Sequence, residues 1–302
     1  MCTKMGRVHR GRASRTKSVL LIAALVIMWG VSWPIYKIAL NDTPPILFAG
    51  LRTLIGGILL GIVRLPKYRE IRWKQTWHIY LIAAFFNAIV FYGLQTVGLR
   101  YLPEGLFTVV VYLQPVLIGL LTWLWLGERL SVLKLVGLLL GFVGVGVISV
   151  SSISGHVSPI GIILAIATAV GWAIGTIYVK KIGNRVDALW LVAFQCGIGG
   201  LVMTAVGSGF EHWSSIVWNA PYLCGLIYGA VFGIPISWVV FFTLVRSGDA
   251  SKVASFTFLV PLIAIFLGTL FLHEPFTDYL LIGLVLIVVS IYLVNRTPRA
   301  RG

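Results

Sequence analysis

Few side chains in this sequence could do chemistry. Arg52, inside the apolar run "LRTLIGG" (Leu51–Gly57), is the costliest of them. A guanidinium in such surroundings needs hydration, a polar cavity or protein carbonyls, because a bare cation in hydrocarbon costs several kcal/mol. It is read either as a contact for an anionic or zwitterionic substrate or as a side chain that snorkels or clamps helix ends. Gln195 lies 143 residues after it, as Trp172 follows Trp29 and Lys180 follows Lys37. Two carboxylates, Glu128 and Glu274, are 146 residues apart, and so are two prolines, Pro115 and Pro261. Paired carboxylates can relay protons, but each of these follows its apolar run, where a solvated carboxylate costs little. Their expected role is structural, anchoring the turn ahead of the next run. No acidic residue lies deep in an apolar run, which counts against carboxylate-driven antiport. Cys2, Cys196 and Cys224 have no metal-ligand spacing, and there is no P-loop. Neither a cofactor nor a metal is expected.

The elements that must position these groups follow from composition. The chain of 302 residues is 59% hydrophobic and 11% charged, with a mean hydropathy of +0.97, whereas a soluble domain is roughly a quarter charged. Lipid must be the main solvent, and in lipid only helices or closed barrels satisfy the backbone. Long apolar runs without period-2 alternation favour helices. A net charge of +15 would suggest nucleic acid in a soluble protein. Here the basic residues lie between apolar runs, where anionic headgroups attract them, so membrane lipids are expected partners and nucleic acid is not.

Ten runs have spanning length: Ser18–Leu40, Pro45–Val63, Thr76–Gly98, Gly105–Leu126 and Leu133–Val150, then Pro159–Val179, Ala188–Val206, Pro221–Val245, Val253–Leu272 and Tyr279–Val294. The basic start "MCTKMGRVHRGRASRTK" leads into the first run, which carries bulky Trp29 and Trp33 rather than a small-residue cleavage site, so it is read as a retained span. If both termini are cytoplasmic, nearly all the Lys and Arg fall in inner segments and the outer loops keep only Arg100. That asymmetry fixes orientation by the positive-inside tendency.

The fixed spacings form an ordered series. Offset 143 relates early positions. Offset 146 relates Tyr92 with Trp238, Arg100 with Arg246, Gly137 with Gly283 and Ser131 with Thr277. The chain therefore reads as a basic tail (1–17), a five-helix unit (18–150), a linker (151–158), a second five-helix unit (159–294) and a basic tail (295–302). An odd number of spans per unit turns the second copy upside down. The expected fold class is an all-α membrane protein of ten transmembrane helices as two inverted five-helix repeats. Such repeats are a transporter architecture, with substrate held near the midplane between halves.

The runs "WGVSWPIYK" (Trp29–Lys37), "LRTLIGG" and "YLQPVLIGLLTWLWLGERLS" (Tyr112–Ser131) resemble the EamA type of the drug/metabolite transporter superfamily over about residues 20 to 295. The resemblance implies ten helices in an inverted arrangement, cytoplasmic termini and export of small metabolites. The halves differ where Ile177 stands for Pro34 and His273 for Gly127, which points to an asymmetric cavity.

Polar and aromatic side chains inside the runs are the candidate cavity: Trp29, Ser32, Asn87, Tyr92, Gln95, Tyr112 and Gln114 in the first half, and Trp172, Thr176 and Trp238 in the second, with Arg52 and Gln195. Aromatic rings there could hold apolar or cationic solutes; their alternative is packing against lipid. Pro34, Pro115 and Pro261 are candidate hinges, or fixed packing kinks. The expected function is a secondary transporter of small molecules. A membrane-embedded enzyme would need a catalytic cluster that the sequence lacks, and a scaffold would have no use for two-faced symmetry. Substrate identity, coupling ion and oligomeric state are not legible.

Overall fold

The computed structural model describes residues 12–98, 101–102, 104–150, 158–272 and 278–296. Glu274 and most of the linker lie outside them. The described residues are helical without strands, as a lipid solvent requires. In order they form α1 (Arg12–Ala39), α2 (Pro45–Arg64), α3 (Trp73–Ala84), α4 (Leu94–Gly98), α5 (Glu104–Val111), α6 (Gln114–Leu126) and α7 (Val132–Ser149). The second half forms α8 (Pro159–Ile182), α9 (Ala188–Phe210), α10 (Ala220–Tyr228), α11 (Ser237–Ser247), α12 (Ala250–Ser255), α13 (Leu259–Leu272) and α14 (Asp278–Asn295). Nine stretches among the described residues are long and apolar enough to cross a membrane, and a tenth, Ala250–Ala264, is apolar but shorter.

Helix starts are set by side chains that take the free N–H groups of the first turn. Ser131 accepts from Lys134 N, Asp187 from Leu189 N and Trp190 N, Asn219 from Tyr222 N, and Asp249 from Ser251 N and Lys252 N. Gly127 closes α6 in the left-handed region at φ 65°, where glycine carries no Cβ penalty.

The fourth segment, expected over Gly105–Leu126 with a hinge or packing kink at Pro115, is divided into α5 and α6. Pro115 cannot donate to the Val111 carbonyl, and its ring crowds that position. The helix breaks at Tyr112–Leu113, and Pro115 takes an early position in α6, where no N–H is needed. Pro261 likewise sits near the start of α13, after a 3₁₀ turn at Phe256–Phe258. Pro34, by contrast, lies within an unbroken α1. Two π-helical stretches were not expected, Phe85–Gly93 between α3 and α4 and Gly229–Ile236 between α10 and α11. Pro235 explains the second, since a residue without an N–H forces the turn to widen.

Helix α2 packs along α9 and α7 along α14, while α1 packs on α13 and α8 on α6. The α2–α9 contact is backbone against backbone: a Cβ on Gly57 would run into Gly197, and one on Gly200 into Leu54. The outer surface stays apolar, with Ile163, Leu201 and Val285 more than half exposed.

The bundle has two unlike ends. At one, Lys134 Nζ meets Asp249 Oδ2 at 2.8 Å, Lys180 Nζ meets Glu128 Oε1 at 3.0 Å, and Arg64 pairs with Glu70 at 2.7 Å and Asp187 at 3.1 Å. Lys180 Nζ also donates to the Gly248 carbonyl. Lys180 thus bolts α8 to two turns. At the other end, Val217 N donates to Asp42 O at 2.8 Å, and Glu211 accepts from Ile46 N at 3.0 Å and Leu47 N at 2.8 Å.

Candidate functional site

Between the halves lies a cavity of about 80 Å³. Helix α1 supplies Trp29, Ser32 and Tyr36 to its wall, one face of the helix at i, i+3 and i+7. Arg52 enters from α2. The π-helical stretch before α4 turns Phe91 and Tyr92 inward, and Gln95 follows on α4. The break after α5 exposes Val111 and Tyr112. The second half contributes Trp172 from α8, Gly233 from the wide turn of its π-helical stretch, Trp238 from α11 and Val260 from α13.

Repeat partners meet here. Trp29 and Trp172, 143 residues apart in sequence, stand edge to face with ring centroids 5.6 Å apart. Trp238 Nε1 donates to Tyr92 Oη at 2.9 Å, joining the pair at offset 146. Trp238 also lies 6.0 Å from Trp29 and 6.4 Å from Trp172. The three indoles make a single apolar floor, with T-shaped contacts that suit the ring quadrupoles.

Arg52 is 7% exposed. Its guanidinium carbon lies 3.9 Å from the Tyr36 ring centroid, 5.0 Å from Phe48 and 5.5 Å from Tyr92. Aromatic faces stabilise the charge, but Nε and Nη1 have no hydrogen-bond acceptor, and the Tyr36 hydroxyl beside them is also without a partner. Ser32 Oγ spends its proton on the Trp29 carbonyl at 2.6 Å. Gly233 makes the Tyr36 position possible, since a Cβ there would fall on the Tyr36 hydroxyl.

Several expected positions lie elsewhere. Asn87, Gln114, Thr176 and Gln195 are fully buried but off the cavity wall. Asn87 Nδ2 donates to Gln195 Oε1 at 3.4 Å, and the Asn87 amide fills the space left by Gly175. Both nitrogen and oxygen of the Gln114 amide lack partners. Pro115 and Pro261 are off the wall too, and act on it through the backbone breaks that present Val111 and Val260. Glu128 stands at the ion-paired end. Tyr36, Phe91, Val111, Gly233 and Val260 were missed; of these only Tyr36 had a signal, its helical register with Trp29 and Ser32.

At the ion-paired end, a groove of about 620 Å³ is lined by Glu70, Arg72, Arg185, Asp187 and Arg246 among others. Arg246 Nη1 donates to Val186 O at 3.0 Å, and Glu70 and Asp187 are held by Arg64, so these three tie turns together, while Arg246 Nε and Nη2 have no partner among the described residues. Burial alone would raise the Asp249 carboxyl, but hydrogen bonds from Lys134 and Ser251 outweigh it and bring the pKa down to about 2. No group of three or more His, Cys, Asp or Glu able to hold a metal occurs among the described residues. The central cavity can bind and orient a solute; it carries no nucleophile and base in reach of one another.

The profile of the EamA-like transporter family matches residues 16–150 and again 159–296. A Bacillus subtilis protein named "Uncharacterized transporter YvbV" is 55% identical over 95% of this chain and 94% of its own. An Escherichia coli protein named "Probable amino-acid metabolite efflux pump" is 27% identical over 92% of this chain and 94% of its own. A solved crystal structure superposes with a TM-score of 0.78 at 21% identity, covering 93% of this chain and 96% of that one, and speaks for the fold alone. These names are those of transporters rather than enzymes. With a match in each half, the chain belongs to the EamA-like transporter family and is a multi-pass membrane transporter.

Proposed function

We propose that the chain is a secondary transporter of ten membrane helices that exports small metabolites or drug-like solutes across the plasma membrane. It works by alternating access at the central cavity, which lies between two inverted five-helix repeats, and both termini are cytoplasmic. The observation that carries this reading is the meeting of repeat partners at the cavity. In a two-fold arrangement, a residue touches its own counterpart only near the axis; Trp29 with Trp172 and Tyr92 with Trp238 do so. The packing supports the same axis, because α1 on α13 has its counterpart in α8 on α6, and α2 pairs with its own counterpart α9. An axis in the membrane plane gives two mirror-related states of one sequence pattern.

The turns of the ion-paired end carry the basic residues that the positive-inside tendency assigns to the cytoplasm, so in this reading Lys134–Asp249 and Lys180–Glu128 form the cytoplasmic gate. The efflux named for the Escherichia coli relative supports the outward direction. Sided labelling of single cysteines in the turns after Leu126 and Leu272 tests the inversion. Opposite-side labelling is expected; same-side labelling would defeat it.

A further inference from the structure

Resting on the transporter reading above, we infer that the cavity takes a small aromatic monocarboxylate and rejects the corresponding amino acid. The wall is rich in unmet donors. Arg52 Nε and Nη1 and Trp172 Nε1 are all buried without partners among the described residues, and all three are obligate donors. Arg52 is more than nine-tenths buried and lies on the cavity wall. Among the described residues no aspartate or glutamate lines the cavity. The ligand must therefore bring acceptors, and an anionic one, because a guanidinium fork matches a carboxylate with two parallel bonds and neutralises the buried charge as well.

The same inventory excludes a second cation. An ammonium placed within the cavity would stand beside Arg52 in a low-dielectric space with no carboxylate to offset the repulsion. The indole floor does not replace one. Trp29, Trp172 and Trp238 are packed edge to face on one another, with Phe91 and Phe241 tilted against Trp172, which makes them an apolar platform for a ring. Size limits the ring. About 80 Å³ is small against the roughly 300–1,000 Å³ of drug-sized sites and below the roughly 150 Å³ that holds one benzene ring, so the cavity must widen to admit even one ring with its carboxylate, and a large polycycle is excluded.

Isothermal titration of the purified full chain in lipid nanodiscs tests this with four probes: phenylacetate, phenylalanine, phenethylamine and acetate. Phenylacetate is expected to bind at least about tenfold tighter than phenylalanine or acetate, a difference of about 1.4 kcal/mol, and phenethylamine is expected not to saturate. Arg52→Gln should weaken phenylacetate by at least about tenfold, and Arg52→Lys by less, since the charge stays while the fork is lost; the lysine variant keeps the test open if the glutamine variant does not fold. Phenylalanine binding as tightly as phenylacetate, acetate matching it, an affinity unchanged in both folded variants, or no phenylacetate binding to folded wild type would each overturn the inference. None of these touches the transporter reading, which stands or falls on the sided labelling and uses no ligand.

Discussion

Arg52 and Gln195 occupy equivalent places in two copies of one unit, yet they do different work. Arg52 faces the cavity with free donors; Gln195 is buried off the wall, hydrogen-bonded by Asn87. The contrast extends along the repeat. Ser32 and Tyr36 on the wall correspond to Gly175 and Val179, and Gln95 corresponds to Phe241. Duplication supplies the frame, namely which helices pair, while divergence puts the charge and most of the polar wall in the first half and gives the second mainly ring surface. The frame is constrained by backbone contact, as at Gly57 and Gly200. The site is not, so it is free to specialise.

The sharpest way to break this comparison is to exchange the pair's fates. Arg52→Ala is expected to abolish uptake into inverted vesicles, by at least about a hundredfold if two charge-assisted bonds of roughly 1.5–3 kcal/mol each are lost, while the protein still inserts and folds. Gln195→Ala should keep transport within about threefold and lower stability by about 1–3 kcal/mol, the cost of stranding the Asn87 amide, read by thermal unfolding. Equal transport defects in both would show that the two halves share the binding work.

Next in size is the frame itself. Gly57→Ala drives a methyl into the Gly197 backbone and should cost about 1–3 kcal/mol of stability by overpacking. Gly233→Ala meets the tip of the Tyr36 side chain, its hydroxyl and Cζ, and touches Tyr228 but no backbone, so Tyr36 must move; it should lower substrate affinity more than stability. If the two variants behave alike, frame and site are not separable. Trp238→Phe removes the donor to Tyr92 and should cost about 1 kcal/mol, without loss of membrane insertion.

The smallest effect belongs to the ion-paired end. Asp249 is held at about 2, below the roughly 3.9 of an unfolded aspartate. A depressed carboxylate stabilises the fold fully above the unfolded value, and that contribution is lost as pH falls from about 3.9 through about 2. Asp249→Asn should remove the acid dependence of stability in that window. It should also raise the accessibility of the cavity from the ion-paired side at neutral pH, measured by thiol labelling.

Much of this frame was legible. Spans could be read because lipid demands uninterrupted apolar length, and Trp29, Trp172, Tyr92 and Trp238 because duplication leaves a fixed offset that folding turns into contact. Arg52 was legible because a charge in an apolar run needs a reason. What escaped was backbone response. Pro115 announced a kink or hinge, but not that Val111 would be presented to the cavity beside Tyr112. The wide turn at Phe85–Gly93 carries no proline, so nothing local announced that Phe91 would turn inward. Asn87 and Gln114 look like wall residues by polarity alone, and only packing against Gly175 and the core decides otherwise. Lys180 with Glu128 joins segments far apart in sequence, beyond any local pattern.

The central claim is that one hollow, lined by both repeats, opens to either side in turn. The most direct measurement is sided labelling of Gln95→Cys with a membrane-impermeant thiol reagent, in a chain whose Cys2, Cys196 and Cys224 are replaced by serine. The expected result is labelling from both sides of the membrane in separate experiments, with the ion-paired side labelled faster once Asp249→Asn is added. Labelling from one side alone, unchanged by that substitution, would contradict it.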